Sequence, residues 1–192
     1  MKLYNWLTTQ YPAEYFSVST TQTVIEEDEP LAITRNITFE HRGTEVLRIS
    51  KAFFEAVRGA SLSEVCDGAV AMYVPRRFIG YVELKSACTA NNVLKARKQI
   101  IASRKLMQNA AVICKINIDS YSQQGIIVTQ PITDETLTKA RQRRQRDDDK
   151  KVSFSNARFL LNLVEGKAKD TETGMLLVHV VAGEITNLNQ IS

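Results

Sequence analysis

The sequence predicts an α/β fold, a central mixed β-sheet flanked by helices, with extra N-terminal and C-terminal elements. Three observations predict it. Residues 65–74 and 78–86 are two runs rich in β-branched and aromatic residues, divided by Pro75, Arg76 and Arg77, which reads as strand, turn and returning strand. Residues 91–108 carry apolar side chains at helical spacing. The chain has 192 residues, 44% hydrophobic and 24% charged, enough to bury a core without covalent staples. The whole of 1–192 is read as a single domain, with a core at about 44–130, a charged helix or linker at about 133–151 and a C-terminal extension at 152–192.

Element by element, Leu3, Trp6 and Leu7 form one face of a short N-terminal helix. Glu26, Glu27, Asp28, Glu29 and Pro30 read as a solvated acidic turn, with nothing to hold their side chains convergent on a metal. Ile33, Ile37, Phe39, Val46, Leu47 and Ile49 alternate around His41-Arg42-Gly43, which predicts a hairpin with Arg42 and Gly43 at its tip. Ser50 is placed to cap a helix over 51–58 that ends at Gly59. After the two strands of the core, Asn91 or Asn92 caps a helix running to about Gln108, with Val93, Ala96, Ile100, Ser103 and Met107 on its inner stripe. Residues 111–118 and 126–129 are expected as strands. Residues 133–151 are almost wholly polar and read as an exposed helix or a linker. Residues 154–164 fit helix or strand, and 175–181 fit a buried strand.

Several function classes are excluded. Cys66, Cys88 and Cys114 are odd in number and match no metal spacing, so reduced thiols and a cytoplasmic setting are expected. No run of residues reaches the length of a membrane span. His41 and His179 are the two histidines, too few for a histidine metal site, and His179 reads as a core or interface residue. Neither a nucleophile elbow nor a P-loop or dinucleotide fingerprint is present.

The chemistry concentrates on three residues. Asp67 opens one strand, and Glu83 and Lys85 lie two apart on the next, so they share a face with Ile79 and Tyr81 while Val82 and Leu84 point the other way. Two carboxylates suit a hard Mg²⁺ ion, which takes one or two carboxylates plus waters. A neighbouring cation suits the charge that develops when a phosphodiester is hydrolysed.

Asp67, followed after fifteen residues by Glu83-Leu84-Lys85 and then by a helix, resembles the PD-(D/E)xK nuclease superfamily, over roughly residues 44–130. The resemblance implies a restriction-endonuclease-like core. It implies catalytic roles for Asp67, Glu83, Lys85 and Gln99, with Lys95 the next match after Gln99. Asp67 and Glu83 would bind Mg²⁺ or Mn²⁺. A further helix-borne glutamate often completes that set; Glu55 and Glu64 are both open for it, with Glu55 preferred. Cys66 stands where a proline is frequent, and Ser103 where some branches have a tyrosine.

The net charge is +4, and the basic residues cluster. Lys95, Arg97, Lys98, Arg104 and Lys105 lie on the core helix, and Arg143 and Arg144 in the polar segment. These are the candidate phosphate contacts. The expected activity is metal-dependent hydrolysis of nucleic acid, DNA favoured over RNA, with a homodimer among the implied assemblies. The alternative is an inactive nuclease-fold protein that binds nucleic acid or assembles a complex.

Overall fold

The computed structural model describes residues 2–27, 33–34, 36–59, 64–150, 155–183 and 186–191. Helix α1 (Lys2–Leu7) buries Leu3 and Leu7, while Trp6 stays exposed. A 3-10 turn, Ala13–Tyr15, leads into strands β1 (Phe16–Ser19), β2 (Gln22–Glu26), β3 (Asn36–Glu40) and β4 (Val46–Ser50). Helix α2 (Lys51–Arg58) follows β4 directly, with Ser50 at its N-cap and Gly59 beyond it at φ 59°. Glycine carries that left-handed conformation without a Cβ clash. Then come β5 (Gly68–Met72), β6 (Phe78–Lys85) and the 24-residue α3 (Ala90–Ile113). A 3-10 turn at Ile118–Ser120 precedes β7 (Ser122–Thr129). The chain continues through α4 (Asp134–Asp149), α5 (Asn156–Val164), β8 (Leu176–Val181), β9 (Thr186–Asn187) and α6 (Leu188–Ile191).

The main sheet runs in the order β1-β4-β5-β6-β7-β8. Its first four strands pair antiparallel; β6–β7 and β7–β8 are parallel. A helical crossover is what a parallel pair requires, and α3 supplies it between β6 and β7. Period-two alternation divides β6 between two cores. Ile79 and Tyr81 pack with Phe53, Phe54, Val93, Ala96 and Ile100 on the helical side. Phe78, Val82 and Leu84 pack with Ile25, Ile37 and Phe39 on the other. That second face is covered by a small sheet, β2-β3-β9. Gly125 lets α3 close on β7, since a Cβ there would lie 2.3 Å from Leu177 Cδ2 and 2.9 Å from Ile100 Cγ2.

Several expectations are corrected. Residues 33–49 are not one hairpin: β3 pairs with β2 and β9, and β4 with β1 and β5, so the turn at Gly43 passes the chain between two sheets. Alternation marks a buried face but does not name the partner strand. Residues 111–113 are the last turn of α3, with Val112 and Ile113 exposed, and 118–120 form a 3-10 turn; no strand spans 111–118. The α3 N-cap is Thr89, whose hydroxyl accepts from the Asn92 amide at 3.3 Å, and not Asn91 or Asn92. Residues 134–149 are helical, and α4 packs on α5, tied by an Arg158–Asp148 ion pair. Of the segment expected over 154–164, residue 154 lies outside the described residues, as do 151–153 before it, and 156–164 are helix. The strand 175–181 is half-buried at the sheet edge. Among the described residues, no helix is long and apolar enough to cross a membrane.

Candidate metal and phosphate site

The strand register builds the site. Gly68 of β5 pairs with Val82 of β6 in antiparallel alignment, so Asp67, one residue before β5, comes level with Glu83. Asp67 is locked there by its own acceptor oxygens: the buried Leu84 amide donates to Oδ2 at 2.8 Å, and Lys51 Nζ donates to Oδ1 at 3.3 Å. Glu83 is fully buried and accepts from Lys85 through Oε1. Both carboxylates thus face one small cavity of about 210 Å³.

Helix α3 fixes the chain entering this corner. Gln99 Nε2 donates to the Val65 carbonyl at 3.1 Å, and Ser103 Oγ accepts from the Cys66 amide at 2.9 Å. Two side chains one helical turn apart therefore hold the two residues that precede Asp67. A tyrosine at 103 would not fit this buried, hydrogen-bonded position, where Ser103 is fully covered.

Burial dominates the electrostatics. It raises the Asp67 carboxyl to about 6; Glu27 adds to the rise, while the Leu84 amide and Lys51 oppose it. Burial raises Glu83 to about 8, with Asp67 and Glu27 adding to the rise and Lys85 opposing it. Burial likewise holds the Cys66 thiol protonated, so it is no nucleophile. Glu83 Oε2 and Gln99 Oε1 are buried and have no hydrogen-bond partner among the described residues. Orphaned buried oxygens call for a partner, and an ordered water or a hard cation is what such oxygens take.

The donor set is made of oxygens, with no imidazole or thiolate, and it fits Mg²⁺ or Mn²⁺. Among the described residues no three His, Cys, Asp or Glu side chains already converge as a ready-made cage. Lys51 stands between two of the carboxylates, 3.3 Å from Asp67 Oδ1 and 3.4 Å from Glu27 Oε1.

Of the residues foreseen in the sequence, Asp67, Glu83, Lys85, Gln99, Glu55 and Lys95 all line this cavity. Glu55 is at its exposed rim, and so is Glu64, paired to Lys95 at 3.1 Å. Arg97, Lys98 and Lys105 line a neighbouring pocket instead. Arg97 is bound to Asp170 at 2.5 Å and lies over the Phe159 ring. Arg104 reaches toward Gln123, 3.3 Å away, and Arg143 and Arg144 belong to α4. Glu27, Lys51 and Arg58 also line the cavity and were not foreseen. Glu27 corrects the picture of the acidic stretch as a wholly solvated turn: its side chain is 11% exposed and turned into the site. Glu26 is exposed as expected, and 28–30 lie outside the described residues. Position 27 carries no local signal, because its proximity to Asp67 arises only when the small sheet packs on the large one.

No protein-family model matches the chain, and no curated protein or solved structure shows significant similarity to it.

Proposed function

We propose that the protein is a metal-dependent nuclease that hydrolyses phosphodiester bonds of nucleic acid, DNA favoured. The observation that carries this reading is Glu83 Oε2, a fully buried carboxylate oxygen beside Asp67 and Lys85 that has no hydrogen-bond partner among the described residues. Asp67 and Glu83 would hold Mg²⁺ or Mn²⁺, with Glu27 the nearest additional carboxylate. Bound there, such an ion would polarise a phosphoryl oxygen and lower the pKa of an attacking water. Lys85, its ammonium fixed beside Glu83, offsets negative charge on the phosphoryl oxygens as water adds to phosphorus. The bond from phosphorus to the leaving oxygen breaks, and the proton that water gives up ends on that oxygen. In this reading Gln99 Oε1 would accept a hydrogen bond from the water, while its amide nitrogen keeps hold of Val65.

The test is cleavage of single- and double-stranded DNA with Mg²⁺ or Mn²⁺ by wild type, Asp67→Ala and Lys85→Ala. Each variant should lose at least about 10²-fold, the usual size for removing a catalytic charge. Equal activity in all three proteins would place the hydrolysis elsewhere.

One observation favours a second reading, that of a protein which binds without cutting. Lys51 and Lys85 already balance Asp67 and Glu83 as ion pairs. Titration calorimetry with Mn²⁺ separates the two: a site lost in Glu83→Ala supports the nuclease, and no heat in wild type supports the binder.

A further inference from the structure

Lys51 stands inside the carboxylate cavity, and strand register puts it there. Ser50 of β4 pairs with Gly68 of β5 in antiparallel alignment. The residue after the one and the residue before the other, Lys51 and Asp67, therefore come level. Lys51 Nζ donates to Asp67 Oδ1 at 3.3 Å and to Glu27 Oε1 at 3.4 Å. The same lysine opens α2, whose first turn holds no acidic residue. The helix dipole favours an anion at that end and not a cation. The helix thus gives no reason for an ammonium here, and the two carboxylates do.

Three carboxylates of this cavity have largely covered side chains: Glu83 at 0% exposed, Asp67 at 1% and Glu27 at 11%. Lys85 pairs with Glu83, whereas Lys51 bridges Glu27 and Asp67. Bridging acidic side chains is the work of the second ion in a two-metal site. Glu83 Oε2 and Gln99 Oε1 line the same cavity, more than nine-tenths buried and without a hydrogen-bond partner among the described residues; they are left for a first ion. The ammonium also keeps its carboxylates at 3.3–3.4 Å, wider than the ~2.0–2.1 Å of bonds to Mg²⁺. That spacing accords with the lack of a ready-made three-acid cage among the described residues. A second divalent ion beside Lys51 would add two positive charges to the cavity; one that took the ammonium's place would add a single charge.

We infer that the Lys51 ammonium fills the place of a second divalent cation, so that the site takes one metal ion and not two. The inference rests on the reading of this cavity as a metal-dependent nuclease site, and it specifies how that site is charged. One divalent ion serves Glu83 and Asp67, and a cation built into the fold stands between Asp67 and Glu27. An ammonium brings charge but no open position to which water or a phosphoryl oxygen could bind as a ligand. Glu27 then acts on the metal through Lys51, as an outer partner and not a ligand.

The test counts Mn²⁺ ions per full chain by titration calorimetry. Electron paramagnetic resonance reads their spacing, since two Mn²⁺ ions about 3.5–4 Å apart are exchange-coupled. Wild type should bind one uncoupled ion. Lys51→Met keeps the aliphatic stem, removes the ammonium and should bind two coupled ions. Lys51→Arg keeps the cation and should bind one. Adding Glu27→Gln to Lys51→Met takes away a carboxylate that the second ion needs and should return the count to one. Lys85→Met controls for loss of charge alone: it should shift affinity and leave the count at one. Thermal melts with Mn²⁺ check that each variant folds, and Lys51→Gln takes the same role if the methionine variant does not. Two ions or none in wild type, one ion in a folded neutral Lys51 variant, or a second ion gained by Lys85→Met each overturns the inference. Failure of the nuclease reading has a different signature: the counts come out as expected, but wild type with Mg²⁺ or Mn²⁺ cuts no DNA. Conversely, Asp67-dependent cleavage with one ion in both wild type and Lys51→Met reduces Lys51 to a structural ion pair and leaves the nuclease reading standing.

Discussion

Replacing Glu83 by glutamine isolates the cost of one buried charge. Glu83 is fully covered, and its carboxyl is raised from an ordinary 4.5 to about 8. A carboxyl whose folded-state pKa lies above its unfolded value keeps its proton where the unfolded chain has lost it. Its contribution to stability is thus intact below pH of about 4.5 and declines as pH rises toward and past about 8. At about 1.4 kcal/mol per pH unit, that gap makes full ionisation cost on the order of 5 kcal/mol, with roughly 3 kcal/mol already felt at neutral pH. The Lys85 ion pair is contained in that figure, since it opposes the rise. Glutamine keeps the shape and carries no charge at any pH. Thermal melts of wild type and Glu83→Gln in EDTA should therefore converge near pH 5 and separate by pH 9, with the variant the more stable. For a chain of this length 1 kcal/mol corresponds to about 2–4 °C, so the separation grows by roughly 8–16 °C. Asp67, raised to about 6, gives wild type a decline of the same sign that is complete at lower pH. Adding Mn²⁺ at pH 8 should stabilise wild type and leave the variant nearly unmoved. Parallel melting curves from pH 5 to pH 9 would refute the claim that burial opposes the Glu83 charge.

Glu27→Gln should weaken Mn²⁺ binding by roughly 10–100-fold in calorimetry, because Glu27 presses on both buried carboxylates; unchanged affinity would confine the ion to Asp67 and Glu83. Ser103→Ala leaves the buried Cys66 amide without its acceptor and should cost about 1–3 kcal/mol in urea denaturation, together with a drop in metal affinity as Asp67 loosens. Gly125→Ala forces a Cβ against Leu177 and Ile100 and should destabilise by about 1–3 kcal/mol at every pH, which distinguishes a packing defect from the charge effect at Glu83.

Much of the central architecture is readable from local pattern. Alternation along 78–85 put Glu83 and Lys85 on the face of Ile79 and Tyr81, and the two cores divide β6 in that way. Ser50 and Gly59 bracket α2 at the expected positions, Gly59 through its positive φ, although the Ser50 hydroxyl makes no side-chain capping bond. What local pattern cannot supply is partnership. The 33–49 segment alternates well, yet its halves join different sheets, because β3 pairs with the preceding β2 and the distant β9 while β4 pairs with β1 and β5. Val112 and Ile113 suggested a strand by composition, but α3 runs on through them with their side chains in solvent. The site divides similarly. Asp67 and Glu83 meet through one hairpin register, a short-range relation. Lys51 meets Asp67 across β4 and α2, and Glu27 arrives on the far side of the sheet's edge from another layer. Neither relation leaves a trace in spacing.

The way the small sheet meets the large one has a consequence for how such a pocket can change over time. Asp67 and Glu83 are tied to each other by a backbone ladder and by the Leu84 amide, a base in which a shifted residue disrupts strand pairing. Glu27 follows β2, whose sheet is joined to that base by side-chain packing of Ile25, Ile37 and Phe39. Apolar packing tolerates volume-conserving exchange where ladders do not tolerate slippage. One wall is therefore free to vary in charge and reach while the two buried carboxylates stay in place, a tunable rim mounted on a fixed floor.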